Sequence, residues 1–108
     1  MDTFKCLDQS VPAAGTLTDL YAVPASTSSV ISTIKVCNQG SVATTFRISI
    51  AIAGAADTAA QYIYYDLPIY PKDTYSATEG WTLATTDVIR ASSANGLCSF
   101  NIFGLEIT

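Results

Sequence analysis

Thr44-Thr45-Phe46-Arg47-Ile48-Ser49-Ile50-Ala51-Ile52-Ala53 alternates without a break. Phe46, Ile48, Ile50 and Ile52 fall on one side of the run, and Arg47, Ser49, Ala51 and Ala53 on the other. A period of two is what a strand shows when one face meets a core and the other meets water. Outward from this stretch the texture repeats. Runs rich in Val, Ile, Tyr, Phe and Thr are interrupted by Gly, Pro, Asn or Asp at roughly the eight-to-twelve-residue spacing of short-stranded β domains. Strands are predicted over residues 4–7, 16–23, 30–38, 44–53, 61–69, 74–78, 87–91 and 97–107. The fold class is all-β: an antiparallel β-sandwich of about eight short strands, jelly-roll or immunoglobulin-like, without significant helix. Residues 54–60 are the one helical candidate and read better as a loop.

Within residues 30–36, Val30, Ile34 and Val36 are expected inward, with Thr33 and Lys35 outward. Pro24 ends the second strand, because it cannot donate to a ladder. The segment Asn38-Gln39-Gly40-Ser41 reads as a short hairpin between the third and fourth strands. Asn95-Gly96 reads as a type I′ hairpin turn, both residues tolerating positive φ. Pro71-Lys72-Asp73 is a turn with φ preset by proline, and Gly104 predicts a bulge in the last strand.

A chain of 108 residues forms one domain, and burying roughly 65% of its unfolded surface suffices for a sandwich without disulfides or metal. Residues 16–108 are assigned to the sandwich and residues 1–15 to an N-terminal arm or edge segment. Hydrophobic residues make up 49% and charged residues 13%, about half the usual charged share. A surface so poor in charge is expected to be neutral polar or covered by neighbours. The net charge is −4 and the five basic residues are scattered, so no basic stripe exists for nucleic acid. No apolar run reaches the roughly 20 residues that span a bilayer, and the N-terminal residues do not form a secretion signal.

The chemistry-bearing residues are as informative by absence. There is no histidine, the commonest general base and zinc ligand. The carboxylates stand singly at turns or strand ends, and no phosphate loop, calcium loop or Cys-x-x-Cys pair occurs. The sequence therefore predicts no enzyme, no catalytic residue, no metal and no cofactor.

Three cysteines remain. Cys98 shares a face with Phe100 and Ile102 and reads as a buried small hydrophobe. Cys37 lies on the Lys35 side, and Cys6 on a segment expected at an edge. An odd count leaves at least one thiol without an internal partner, so Cys6 and Cys37 are candidates for an intersubunit disulfide. Tyr62, Tyr64 and Tyr70, within a cluster that includes Tyr65 and Tyr75, are candidate interface residues. Tyr64 and Tyr65 must face opposite sides of a strand. An alternative use of exposed tyrosine is stacking on host-surface carbohydrate.

Two stretches carry a resemblance. One is Thr18-Asp19-Leu20-Tyr21-Ala22-Val23-Pro24-Ala25 followed by Val30-Ile31-Ser32-Thr33-Ile34-Lys35-Val36-Cys37-Asn38-Gln39-Gly40. The other joins residues 62–68 to Gly80-Trp81-Thr82-Leu83-Ala84-Thr85-Thr86-Asp87-Val88-Ile89. Together they resemble small proteins of tailed phages and prophages that sit on the virion surface or in its neck and tail. The resemblance covers most of the chain from Leu17 onward. It implies a virion structural subunit without fixing its station in the particle. The role expected is that of a neck collar or capsid decoration protein partnered by its own copies and other virion proteins, made in the host cytoplasm since no secretion signal is read. The competing expectation is a tail-fibre or receptor-binding module.

Overall fold

The computed structural model describes residues 2–108. Nine strands follow one another: β1 (Asp2–Ser10), β2 (Thr18–Ala22), β3 (Ser28–Asn38), β4 (Thr44–Ala51), β5 (Tyr62–Ile69), β6 (Thr74–Ala77), β7 (Trp81–Leu83), β8 (Val88–Ser93) and β9 (Cys98–Ile107). Two antiparallel sheets pack face to face. The first runs β1-β9-β3-β6, with β7 also paired to β3; the second runs β2-β8-β4-β5. Among the described residues, only β4 and β5 are consecutive strands paired directly with each other. Other connections cross between the sheets, except the short step from β6 to β7 along β3. That order is the jelly roll, and it decides between the two sandwich topologies expected from sequence.

The crossings overturn two turn assignments. Residues 38–41 do not close a hairpin, because β3 and β4 lie in different sheets. The fully buried Asn38 organises this crossing instead. Its amide donates to the carbonyls of Val42 and Tyr70 (3.0 and 3.2 Å), and its Oδ1 accepts from Gly40 N. Asn95-Gly96 likewise carries the chain from one sheet to the other. Gly96 has φ 69° but Asn95 is not among the positive-φ residues, so the turn is not type I′. Asn95 Oδ1 accepts from Leu97 N, holding the bend through its side chain.

The core lies between the sheets and centres on Phe46, Phe100, Ile31, Ile34, Ile48, Ile89 and Ile102. Bulges reset which residues reach it. In β3 an extra residue, Ser32, shifts the register against β9 between Ile31 and Thr33. Ile31 is therefore buried and Val30 turns outward, the reverse of the expected phase. β1 has its own extra residue, Leu7, against the same part of β9. The strand carrying Gly104 is thus the regular one, and its two neighbours carry the bulges. In β4 the alternation fails at its end. The strand stops at Ala51, and Ile52 is 74% exposed rather than inward. A 3-10 turn at Ile52–Gly54 with Ala53 at φ 55° takes the chain off the sheet, pinned where Asp87 Oδ1 accepts from Ala53 N at 2.9 Å. The other Asp87 oxygen accepts from Ala84 N and caps the turn before β8. Residues 54–60 form no α-helix and run between this turn and another at Ala59–Gln61.

Candidate interaction surfaces

Two faces combine exposure with side chains able to hold a partner. The first is the outer face of the β1-β9-β3 sheet. Residues opposed across a ladder share a face, so the pairings Phe4–Leu105–Val30 and Cys6–Phe103–Thr33 define rows across three strands. Phe103 and Leu105 are out of phase with the buried Phe100 and Ile102 and therefore point outward, half-buried. Phe4 is 82% exposed and Ile107 37%. Exposed apolar faces of this kind are where proteins commonly meet partners.

This face ends at β1, and β1 is an open edge. Among the described residues its only strand partner is β9. The other three edges are blunted. β2 has five residues, β5 contains Pro68 and two register shifts, and the fourth edge is split into β6 and β7 of four and three residues. β1 carries one bulge, at Leu7, yet alone offers nine residues of strand without proline. The segment 1–15, read as an arm or edge segment, thus carries β1 laid along the sandwich. Met1 lies outside the described residues.

A polar network ties β1 down at its base. Lys5 Nζ lies 2.9 Å from Glu106 Oε1, and the Tyr21 hydroxyl donates to Glu106 Oε2 while sharing a hydrogen bond with the fully buried Ser29. The Tyr21 and Lys5 hydrogen bonds hold the Glu106 carboxyl below its ordinary range. Burial, with the Glu106 hydrogen bond second, pushes the Tyr21 phenol up to about 12.

The second face is the outer side of the β4-β5 pair. Asp66 sits in a β5 bulge at φ 52°, a backbone region that Asp tolerates. From there it receives Arg47 in a two-pronged pair, Nε–Oδ1 2.6 Å and Nη2–Oδ2 3.0 Å. The Arg47 hydrogen bond keeps the Asp66 carboxyl below its usual range. The same guanidinium lies 4.0 Å over the ring of Tyr65, which is 62% exposed and meets Tyr62 edge-on. Beside the pair is a cleft of about 230 Å³ lined by Gly15, Thr45, Phe46, Arg47, Asp66, Ser92, Ser93 and Ala94.

The candidate residues separate. Tyr64 packs at the rim of the core against Phe46, Tyr75 and Trp81, its hydroxyl donating to Glu79. Tyr70 is 74% exposed at the β5–β6 turn, away from Tyr62 and Tyr65 in the sheet register. Cys6 is exposed on the apolar face, Cys37 is half-buried and Cys98 is buried; all three are free thiols. Burial pushes the Cys98 thiol up, leaving it unreactive. Among the described residues no group of three His, Cys, Asp or Glu could hold a metal, and no helix is long and apolar enough to cross a membrane. Sequence reasoning missed the Arg47–Asp66–Tyr65 cluster and the outward row Phe103 and Leu105. The second was visible as apolar residues on both phases of residues 97–107.

No family model matches the chain, and no curated protein matches it. Among solved structures it is similar to a chain of the acidic stable capsid structure of Helicobacter pylori bacteriophage KHP30. The TM-score is 0.49 and the identity 12%, over the whole of this chain and 94% of that one.

Proposed function

We propose that the chain is a non-enzymatic virion structural subunit, a neck collar or capsid decoration protein, that joins its particle through edge-strand and apolar contacts. The observation that carries the assembly reading is the nine-residue β1 edge continuous with the apolar row Phe4, Leu105 and Val30. Such an edge invites another strand, and proteins that do not use it normally blunt it. The virion rests on the resemblance of residues 18–25 with 30–40, and 62–68 with 80–89, to small tailed-phage proteins. Jelly rolls occur in viral capsids, lectins and cupins alike, so the fold admits this role without selecting it. Mass spectrometry of purified particles, from the phage or prophage encoding the gene, is expected to find the chain in many copies. Its absence from intact particles, or a gene set among metabolic operons, would sink the reading.

One observation favours a second reading, a receptor-binding module for carbohydrate. Exposed Tyr65 stands beside Asp66, Arg47 and a cleft with three hydroxyl side chains. Against it, Arg47 already lies over the Tyr65 ring, where a sugar would stack. A glycan array giving Tyr65-dependent binding would favour this second role.

A further inference from the structure

The β1 edge has a self-complementary pattern, which names its occupant. In antiparallel pairing, opposed side chains share a face. Because Leu7 is an extra residue in β1, the outward positions are Asp2, Phe4 and Cys6 before it and Gln9 after it. Two copies of β1 related by a two-fold axis must match faces in both halves. The register that opposes Lys5 with Asp8, Phe4 with Gln9 and Thr3 with Ser10 does so at six of the eight residues from Thr3 to Ser10, the bulged Leu7, packed against the core, opposing Cys6 at the axis. It sets opposite charges against each other twice. A shift by two positions opposes Asp8 with Thr3, or Lys5 with Ser10, and loses both ion pairs.

We propose that β1 of one copy pairs antiparallel with β1 of a second copy in this register, with the two-fold axis between Cys6 and Leu7, so that one sheet runs through both subunits. This rests on the assembly reading above and names its first partner. The Phe4 row meets the partner's Gln9, and the Cys6 row ends at the axis against its own copy. The Lys5–Glu106 pair gains the partner's Asp8 as a third member. The two Cys6 side chains flank the axis on the same outer face. With a rise of about 3.3 Å per residue and strands about 4.8 Å apart, their Cα atoms are roughly 6 Å apart, a separation a disulfide spans.

The full reduced chain is expected to sediment as a dimer in the micromolar range. Oxidised glutathione then reports the register. One Cys6 thiolate displaces glutathione to give a mixed disulfide, and the second Cys6 displaces the other glutathione. Two protein thiols are oxidised and one small disulfide is reduced to two thiols. The resulting covalent dimer on a non-reducing gel is expected to vanish in Cys6→Ser and persist in Cys37→Ser. Asp8→Lys, which leaves Lys5–Glu106 in place, is expected to weaken the dimer about tenfold by opposing Lys with Lys twice. Lys5→Glu/Asp8→Lys is expected to restore part of it, since the new carboxylate also faces Glu106. A monomer, a crosslink through Cys37, or indifference to Asp8→Lys overturns the pairing. A monomeric chain still found in particles refutes this pairing and leaves the virion reading standing, whereas a swap-sensitive dimer absent from particles does the reverse.

Discussion

At Gly104 the sheet closes so tightly that an added Cβ would run into the Val30 carbonyl oxygen and come within 3.1 Å of Ile31 Cα. Both obstacles are backbone, so no side chain can swing aside. Gly104 is not among the positive-φ glycines, and the cost of Gly104→Ala is therefore the clash alone. Forcing β3 and β9 apart there is expected to cost about 2–4 kcal/mol, read as a lower urea midpoint with an unchanged m value. The Glu106 network, two strand positions away, adds a pH dependence. Its folded carboxyl is held below the ordinary 4.5, so its contribution is present above that pH and is lost as the pH falls toward the folded value. Tyr21 is raised from 10 to about 12, so its contribution is present below pH 10 and lost as the pH climbs to 12. Urea midpoints against pH should fall on both limbs. Glu106→Gln is expected to flatten the acid limb and Tyr21→Phe the alkaline one; unchanged limbs would mean that other groups set them.

At the level of elements, strand existence was legible and strand phase was not. Apolar periodicity with Pro24, Pro71 and the glycines located eight of the nine strands, because burying one face dictates a period of two. β7 escaped, since Trp81–Leu83 is too short to show a period and exists only because Leu83 and Trp81 dock on β3. Val30 and Ile52 were misdirected for a different reason. A bulge at Ser32 and a turn at Ala53 are set by the neighbouring strand and by Asp87, and neither partner is adjacent in sequence. The hairpin assignments at 38–41 and 95–96 failed in the same way. Turn chemistry marks where a chain reverses, but whether it reverses within one sheet or between two depends on the whole topology. The surfaces follow the same division. The burial of Cys98 was legible from its phase, and the exposure of Cys6 from its segment's expected place at an edge. The Arg47–Asp66–Tyr65 cluster needed a β5 bulge to bring residues 19 apart in sequence into a two-pronged pair.

Over the whole molecule the topology makes the last strand a central one. β9 lies between β1 and β3, and β8 lies between β2 and β4, so the two chain halves interlock rather than stack. Among the connections, only the β4–β5 hairpin and the β6–β7 step join strands that stay in one sheet. Nearly every ladder thus closes a long loop before it yields any burial. A chain ending at Leu97 would leave β1 with no ladder partner, and β3 with only the short β6 and β7. It would also remove Cys98, Phe100 and Ile102 from the middle of the core. Such a truncation is expected to lack near-ultraviolet dichroism and a cooperative denaturation transition. Adding a peptide of residues 98–108 should restore both, because what is missing is a strand and its inward side chains. A truncated chain that melted cooperatively without the peptide would show the second sheet to be self-sufficient. The same topology places refolding of the intact chain in the millisecond-to-second range typical of non-local β pairing. Trp81, half-buried against Tyr64 at the rim of the core, is the fluorophore that would report it, and a microsecond phase of full amplitude would contradict the interlocked order.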